Sequence, residues 1–398
     1  MKFNKNLRAI ALAALLNVAL TAGAQDKQNM FNPVTSSVTS LSIAPDARGG
    51  GMGDVGAATE ADVYSQYWNP AKYPFCVGRA GVAVSYTPWL RKLVNDINLA
   101  HIAGFYRIGN YSALSASLRY FSLGEVDLGW GNEGGATNGM TIKPYELGAD
   151  IAYSRMLSEY FSMAVAMRFI YSDITYDYTS ESSAGKAFAA DIALYYSNYV
   201  MMANRECNLA FGLNISNIGS KISYGGSDNS EFIPTNLRLG LNLTIPFDEY
   251  NRFSIATDLN KMLIPTYPKR GEDETDNDYT DRVQREYYDI SPIAGIFKSF
   301  HDAPGGFKEE LQEIQWSIGA EYSYNDRFFV RLGYHDEAAN KGNRKYITAG
   351  AGFHMSVFSL DASYVFSTAQ TNPLDQTMRF SLAFDLDGMK DLFGRKRR

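Results

Sequence analysis

Between residues 81 and 386, apolar and polar residues alternate with a period of two, again and again, in segments of about ten residues. The cleanest case lies at 235–245. Leu237, Leu239, Leu241, Leu243 and Ile245 point one way, and Asn236, Arg238, Gly240, Asn242 and Thr244 point the other. Period two is the geometry of a strand with one apolar and one polar face. The same pattern sets Met378, Phe380, Leu382, Phe384 and Leu386 against Arg379, Ser381, Ala383 and Asp385. Strands of soluble sheets run to about five or six residues. Roughly nine to eleven is what a tilted strand needs to cross a bilayer.

Read this way, strands are predicted near 81–87, 98–108, 112–121, 145–156, 161–176, 187–198 and 208–217. The second half adds 235–246, 251–263, 315–324, 327–336, 345–355, 358–367 and 377–386. The connections sort by parity. Short ones are predicted at 109–111, 157–160, 247–250, 325–326 and 356–357, with 199–207 as one long exception on that side. Long ones fall at 122–144, 177–186, 218–234, 264–314, 337–344 and 368–376. Short turns on one side and long loops on the other are the habit of outer-membrane barrels. The fold class expected is all-β: a transmembrane antiparallel β-barrel of about fourteen strands with an N-terminal plug-like segment. Closure is required because hydrocarbon offers no partner to an unpaired backbone group.

The first residues read as an address. Lys2, Lys5 and Arg8 precede an apolar run from Ala9 to Leu20, and Ala22-Gly23-Ala24 gives a small-x-small cleavage site. The division expected is a signal peptide at 1–24, a periplasmic or plug segment at 25–80, the barrel at 81–386 and a basic tail at 387–398. Such a chain belongs in the outer membrane, among its lipids, with both termini periplasmic. The net charge of −6 becomes more negative once the leader's positive charges are gone. That argues against nucleic acid as a partner. The 27 tyrosines and 23 phenylalanines, many near strand ends, suit interfacial girdles. Cys76 and Cys207 are the only cysteines, and bridged and free forms both stay open.

Residues 41–80 do not alternate. Ile43-Ala44-Pro45-Asp46-Ala47-Arg48 leads into Gly49-Gly50-Gly51-Met52-Gly53-Asp54-Val55-Gly56. A helix-compatible stretch at 57–67 follows, then Trp68-Asn69-Pro70-Ala71-Lys72-Tyr73. Gly51, Gly53 and Gly56 match a dinucleotide fingerprint in form only, since no βαβ unit surrounds them. The glycines suit a tight, irregular path where backbone approaches a barrel wall.

Asn69-Pro70-Ala71 just ahead of the first strand resembles the plug region of the FadL-like long-chain fatty-acid transporters, fourteen-stranded barrels with an N-terminal hatch. The fuller string is similar to that of the PorV family, outer-membrane shuttle components of the Bacteroidota type IX secretion system. Its residues are Pro45, Asp46, Arg48, Gly50, Gly51, Gly53, Asp54, Trp68, Asn69, Pro70 and Ala71. The resemblance implies a carrier that is not an enzyme and needs no cofactor. It implies as partners secreted cargo proteins, bound through a C-terminal signal domain, a large outer-membrane translocon and a surface attachment complex. The alternative is a FadL-like transporter of hydrophobic small molecules across the outer membrane.

Chemistry elsewhere is sparse. His101, His301, His335 and His354 lack ligand spacing, so no metal site is expected. No nucleophile elbow marks a hydrolase. The run Glu272-Asp273-Glu274-Thr275-Asp276-Asn277-Asp278 lacks the glycine and terminal glutamate of an EF-hand and reads as a solvated acidic loop. In the same long loop, Ile293, Ile296, Phe297 and Phe300 form a candidate cargo-facing surface.

Overall fold

A computed structural model describes residues 31–388, apart from 93, 129–139, 175–182, 203, 226–228, 272 and 369–373. The expected signal peptide at 1–24 and most of the expected basic tail lie outside the described residues. The first strands are β1 (Ala80–Pro88), β2 (Asn98–Ile108), β3 (Ser112–Ser122), β4 (Val126–Leu128), β5 (Met140–Ile142) and β6 (Tyr145–Met156). Next come β7 (Phe161–Asp173), β8 (Gly185–Met202), β9 (Arg205–Gly219), β10 (Asn236–Pro246) and β11 (Asn251–Met262). The series ends with β12 (Gln315–Tyr324), β13 (Phe328–Asp336), β14 (Tyr346–His354), β15 (Phe358–Ser367) and β16 (Met378–Asp385). Fourteen of them close into one antiparallel barrel, sequence neighbours lying side by side, while β4 and β5 make a separate hairpin in the connection from β3 to β6. Closure is made by β1 on β16, from Gly81 opposite Asp385 to Tyr86 opposite Phe380. That seam removes both edges of the sheet.

The alternation translates into an inside-out barrel. On β10, Leu239 is 41% exposed whereas Arg238 is 8% exposed. Ile102, Leu118, Ile151, Val165, Leu332 and Phe380 face outward in the same way, and Ser85, Asp191, Asn214, Asp258, Arg331 and Asp361 face the lumen. Exposed apolar and buried polar side chains are what a bilayer solvent selects.

One end carries the short turns. Asn325 and Asp326 both take positive φ, 55° and 50°, as a two-residue hairpin turn matching strand twist demands. At 247–250, Asp248 accepts from the backbone N–H groups of Tyr250 and Asn251, each at 2.8 Å, which fixes that turn locally. The expected long connection at 199–207 is absent. β8 and β9 pair on through Tyr199–Asn208 to Met202–Arg205, leaving only 203–204 between them, with Asn204 left-handed at φ 63°. The local sequence Asn-Arg-Glu-Cys breaks alternation and reads as loop, but Tyr199, Val200 and Met201 are good strand formers that extend the ladder.

The other end carries the long loops. The 263–314 connection contains helices at Asp276–Val283, Pro292–Lys298 and Phe307–Gln312. The helix at Asp276–Val283 is capped by Thr275 and places acids in its first turn, where the helix dipole favours them. Among the described residues no cluster of acidic and histidine side chains is arranged to hold a metal. Arg282 beside Glu274 pulls its carboxyl down to about 2, and Asp276 pairs with Arg270 at 2.7 Å.

Placing a cation on the outward face tests the membrane assignment. Leu241→Arg, at the middle of β10, should cost about 2–4 kcal/mol of folding free energy in lipid vesicles. Tryptophan fluorescence during denaturant unfolding reads it. A loss well under that range would place Leu241 outside the hydrocarbon.

Candidate functional site

The barrel lumen is occupied by residues 38–75, and the whole of the Pro45–Ala71 string sits there. The short helix Ala47–Gly51, α1, begins at Asp46, whose side chain accepts from Gly49 N–H at 2.8 Å and from the Trp68 indole N–H at 2.5 Å. One carboxylate thus caps a helix and pins an aromatic wedge. Within the tight glycine path expected here, a good N-cap suffices to wind one helical turn. The stretch at 57–67, read as helix-compatible, is helical only at its end, in Ser65–Trp68. Plug side chains take several of its backbone groups instead, Asn69 at Ala57 O and Tyr73 at Val63 O, and the wall holds its start. Asp258 of β11 accepts from both Gly56 and Ala57 N–H, at 2.8 and 3.0 Å.

Asn69-Pro70-Ala71 has a local physical reason. Asn69 accepts from Ala71 N–H at 3.0 Å and so caps the 3-10 helix Pro70–Phe75, where Pro70 has no N–H to satisfy. The Asn69 amide also donates to Ala57 O at 3.0 Å and to Leu194 O of β8 at 2.9 Å, joining plug to plug and plug to wall. Ala71 is fully buried against Ala164, Ala193 and Ala210, where small side chains on three strands let the backbone approach.

Charge fixes the plug to the wall. Arg48 grips both oxygens of Glu321 on β12, at 3.3 and 3.1 Å, and reaches Asp62 at 2.7 Å. Glu321 is shared with Arg331 of β13 at 2.6 Å, and Arg331 continues to Asp361 of β15 at 2.6 Å. Asp54 receives Arg379 of β16 at 3.0 Å and the Tyr346 hydroxyl at 2.6 Å. Gly53 N–H donates to Thr348 Oγ1 at 2.8 Å, Gly50 lies under the Arg379 side chain, and Gly51 crosses Gly350 backbone to backbone. On the opposite wall, Arg168 binds Asp150 and Asp191, and Gln66 donates to Asp150 at 2.6 Å.

The sequence reading missed the wall's own glycines. At Gly333 of β13 a Cβ would fall on the backbone of Met52 and Gly53, and at Gly212 of β9 it would fall on the Ala57 carbonyl. The signal was present as glycine on the lumen face of alternating strands, which marks close backbone approach.

Above the plug lies a chamber of about 590 Å³. Leu41, Ile43, Trp89, Ile97, Phe121 and Leu123 supply an apolar side, and Arg238, Asn260, Lys341, Arg344 and Glu337 a polar one. Loop residues line its mouth, Lys341 and Glu313 among them. Lys261 pairs with Glu310 and Glu313, and Lys341 with Glu309 and Glu313, all within 3.1 Å. Burial pushes the nearby Asp302 carboxyl up to about 6, with Glu310 and Glu313 adding to the rise. On the loop surface Ile293, Phe297 and Phe300 are exposed, Phe297 by 69%, while Ile296 is half-buried. Phe307 and Leu311, one helical turn apart on Phe307–Gln312, are exposed on the same long connection and were not singled out from sequence. Cys76 and Cys207 are both buried and unbridged.

A family model described as "Type IX secretion system protein PorV" matches residues 24–269. No curated protein sequence matches the chain. Among solved structures, a deltaS2S3 mutant of the TodX monoaromatic hydrocarbon channel aligns with a TM-score of 0.51 at 12% identity, covering 85% of this chain and 98% of that one. The Pseudomonas putida toluene transporter TodX aligns at 0.49 and 11% identity, over 89% of this chain and 99% of that one. A Pseudomonas aeruginosa FadL homologue aligns at 0.43 and 11% identity, again over 89% and 99%. The first of these likenesses shows a shared fold and nothing finer.

Two variants test how the plug is held. Arg331→Met leaves Glu321 and Asp361 short of a buried partner and should cost about 3–5 kcal/mol, read as a fall in unfolding midpoint. Gly333→Val should lift the plug from β13 and raise ion conductance of the barrel in planar bilayers. Conductance equal to wild type would show that this crossing does not seal the lumen.

Proposed function

Because this chain belongs to the PorV family of type IX secretion system proteins, we propose that it is the outer-membrane carrier that binds the C-terminal signal domains of secreted cargo. It takes cargo from the translocon to the surface attachment complex, with turns in the periplasm and loops outside. The family match, across more than half the chain, carries this reading. The filled lumen supports it, since a polypeptide has no path through a barrel whose inner face is bonded to its own N-terminal segment. Cargo is then handled on the loop face. Exposed Ile293, Phe297, Phe300, Phe307 and Leu311 give that face an apolar surface suited to protein. They stand on a loop anchored from beneath by Lys261 and Lys341.

A second reading rests on the chamber. Its apolar side and its volume suit a hydrophobic small molecule, and the fold is shared with a hydrocarbon channel. The chamber is closed below by the plug, which favours the carrier reading over passive uptake.

Deleting the gene should strand signal-bearing cargo in the periplasm, measured by fractionation and surface labelling; normal surface display would sink the carrier reading. Phe297→Ala should weaken capture of an isolated cargo signal domain by about 2 kcal/mol if it is a central contact, with surface expression unchanged. Uptake of fatty acids and aromatic hydrocarbons should be unaffected by the deletion; loss of uptake would favour the second reading.

A further inference from the structure

The plug is joined to β1 at the turn end, but its other end does not stay there. Ala71 lies low in the barrel, against strand residues near the turns. Ala57 and Met52–Gly53 cross the wall at mid-height, at Gly212 and Gly333. Higher still, Ser40 N–H donates to Glu146 near the loop end of β6, and Arg119 near the loop end of β3 donates to the carbonyls of Ser40 and Ile43. Residues 31–37 then lie among the loops themselves. Ser37 N–H donates to Phe232 O at 2.9 Å and Asn32 N–H to Asn340 O at 2.7 Å. The Asn32 amide donates to Glu309 at 2.9 Å, and Lys269 donates to Phe31 O at 3.1 Å.

From this climb we infer that residues 31–38 are a strap that leaves the lumen through the loop mouth, so that Phe31 lies on the loop face. Phe31 and the last residues of β16 then lie at opposite ends of the barrel. The expectation of both termini in the periplasm followed from the parity of the connections, which does not register a segment that threads the barrel. Three separate loops receive the strap: 220–235 at Phe232, 263–314 at Glu309 and Lys269, and 337–345 at Asn340. Side-chain and backbone contacts from one segment to three loops fix their relative positions. A mouth that any one loop could close alone needs no such tie.

The strap also pins the lid. Asn32 is buried, and its partner Glu309 is the residue that Lys341 holds at 2.6 Å. Lys341 reaches Glu313, which Lys261 also holds, so the strap completes the chain of buried ion pairs under the helix Phe307–Gln312. Pro33, Val34, Thr35 and Ser36 form part of the chamber's wall. Loops and chamber therefore share one fastening, and its disturbance is read on the outer surface.

Accessibility of single cysteines to a membrane-impermeant maleimide decides the path, on intact cells and on detergent-opened membranes. The native cysteines are buried, so wild type serves as blank. Ala294→Cys marks the loop face and Glu159→Cys the turn face; both positions are exposed. Phe31→Cys, with Thr35→Cys as a second strap position, should label on intact cells as Ala294→Cys does, while Glu159→Cys labels only after opening. If both strap cysteines instead follow Glu159→Cys, the strap does not leave through the loop mouth and the inference is overturned. The cell-surface readout rests on the proposed orientation, and that can fail separately. Labelling of Glu159→Cys alone on intact cells, with strap and Ala294→Cys protected together, would reverse the orientation and keep the strap. For the pin, Asn32→Asp sets a second carboxylate against Glu309 and should increase external trypsin cleavage at the exposed Lys308. Unchanged cleavage, with heat-modifiable mobility confirming a folded barrel, would remove the pin.

Discussion

In hydrocarbon every strand N–H and C=O has to be paired within the sheet, and closure of β1 on β16 is how this chain meets that requirement. Closure has a second consequence. With the apolar residues of each strand facing lipid, the residues of the opposite phase converge on one lumen, and they include Arg168, Arg331, Arg379, Asp191, Asp258, Glu321 and Asp361. Charges gathered there need partners, and an N-terminal segment rich in backbone N–H groups and short polar side chains supplies them. The plug is thus the complement of the wall's inner face rather than an object stored in a pore.

The match is made from both sides. The plug offers Asp46, Arg48 and Asp54, and the wall offers Glu321, Arg379, Thr348 and Asp258. Where backbone must touch backbone, the wall carries glycine or alanine. A buried ion pair contributes less net stability than its Coulomb energy suggests, but losing one partner is costly because the other stays buried. Such an arrangement defines one seating of the plug and penalises a shifted one.

Much of this was legible in the sequence, for reasons of geometry. A strand's side chains repeat every two residues, so Leu237 through Ile245 announce their face directly, and Asn325-Asp326 announces its turn. What escaped was set at longer range. The extension of β8 and β9 across 199–207 depends on each strand having the other to pair with, which residue type alone does not reveal. The helical turn at Ala47–Gly51 depends on the Asp46 cap and the Trp68 wedge overriding the poor propensity of glycine. The strap escaped for the plainest reason: its partners, Phe232, Glu309 and Asn340, are about 200 or more positions away.

The energetic scale of the seating bears on how such a barrel can work. A nanomolar partner brings about 12 kcal/mol. Leaving one buried charge unpaired costs about 3–5 kcal/mol, and withdrawing the plug would part Arg48 from Glu321 and Asp54 from Arg379 while stripping Asp258 of its two backbone donors. Each such loss takes a sizeable share of what a tight partner provides, before the Asn69 contact with β8 is counted. Binding at the loops can therefore rearrange the lid and the strap, whose contacts are few and lie at the mouth. It has little left with which to clear the lumen. A rigid closed barrel with an adjustable outer face follows from that inequality, and it is the loop face, with the N-terminal strap woven into it, that has the freedom to respond to a partner.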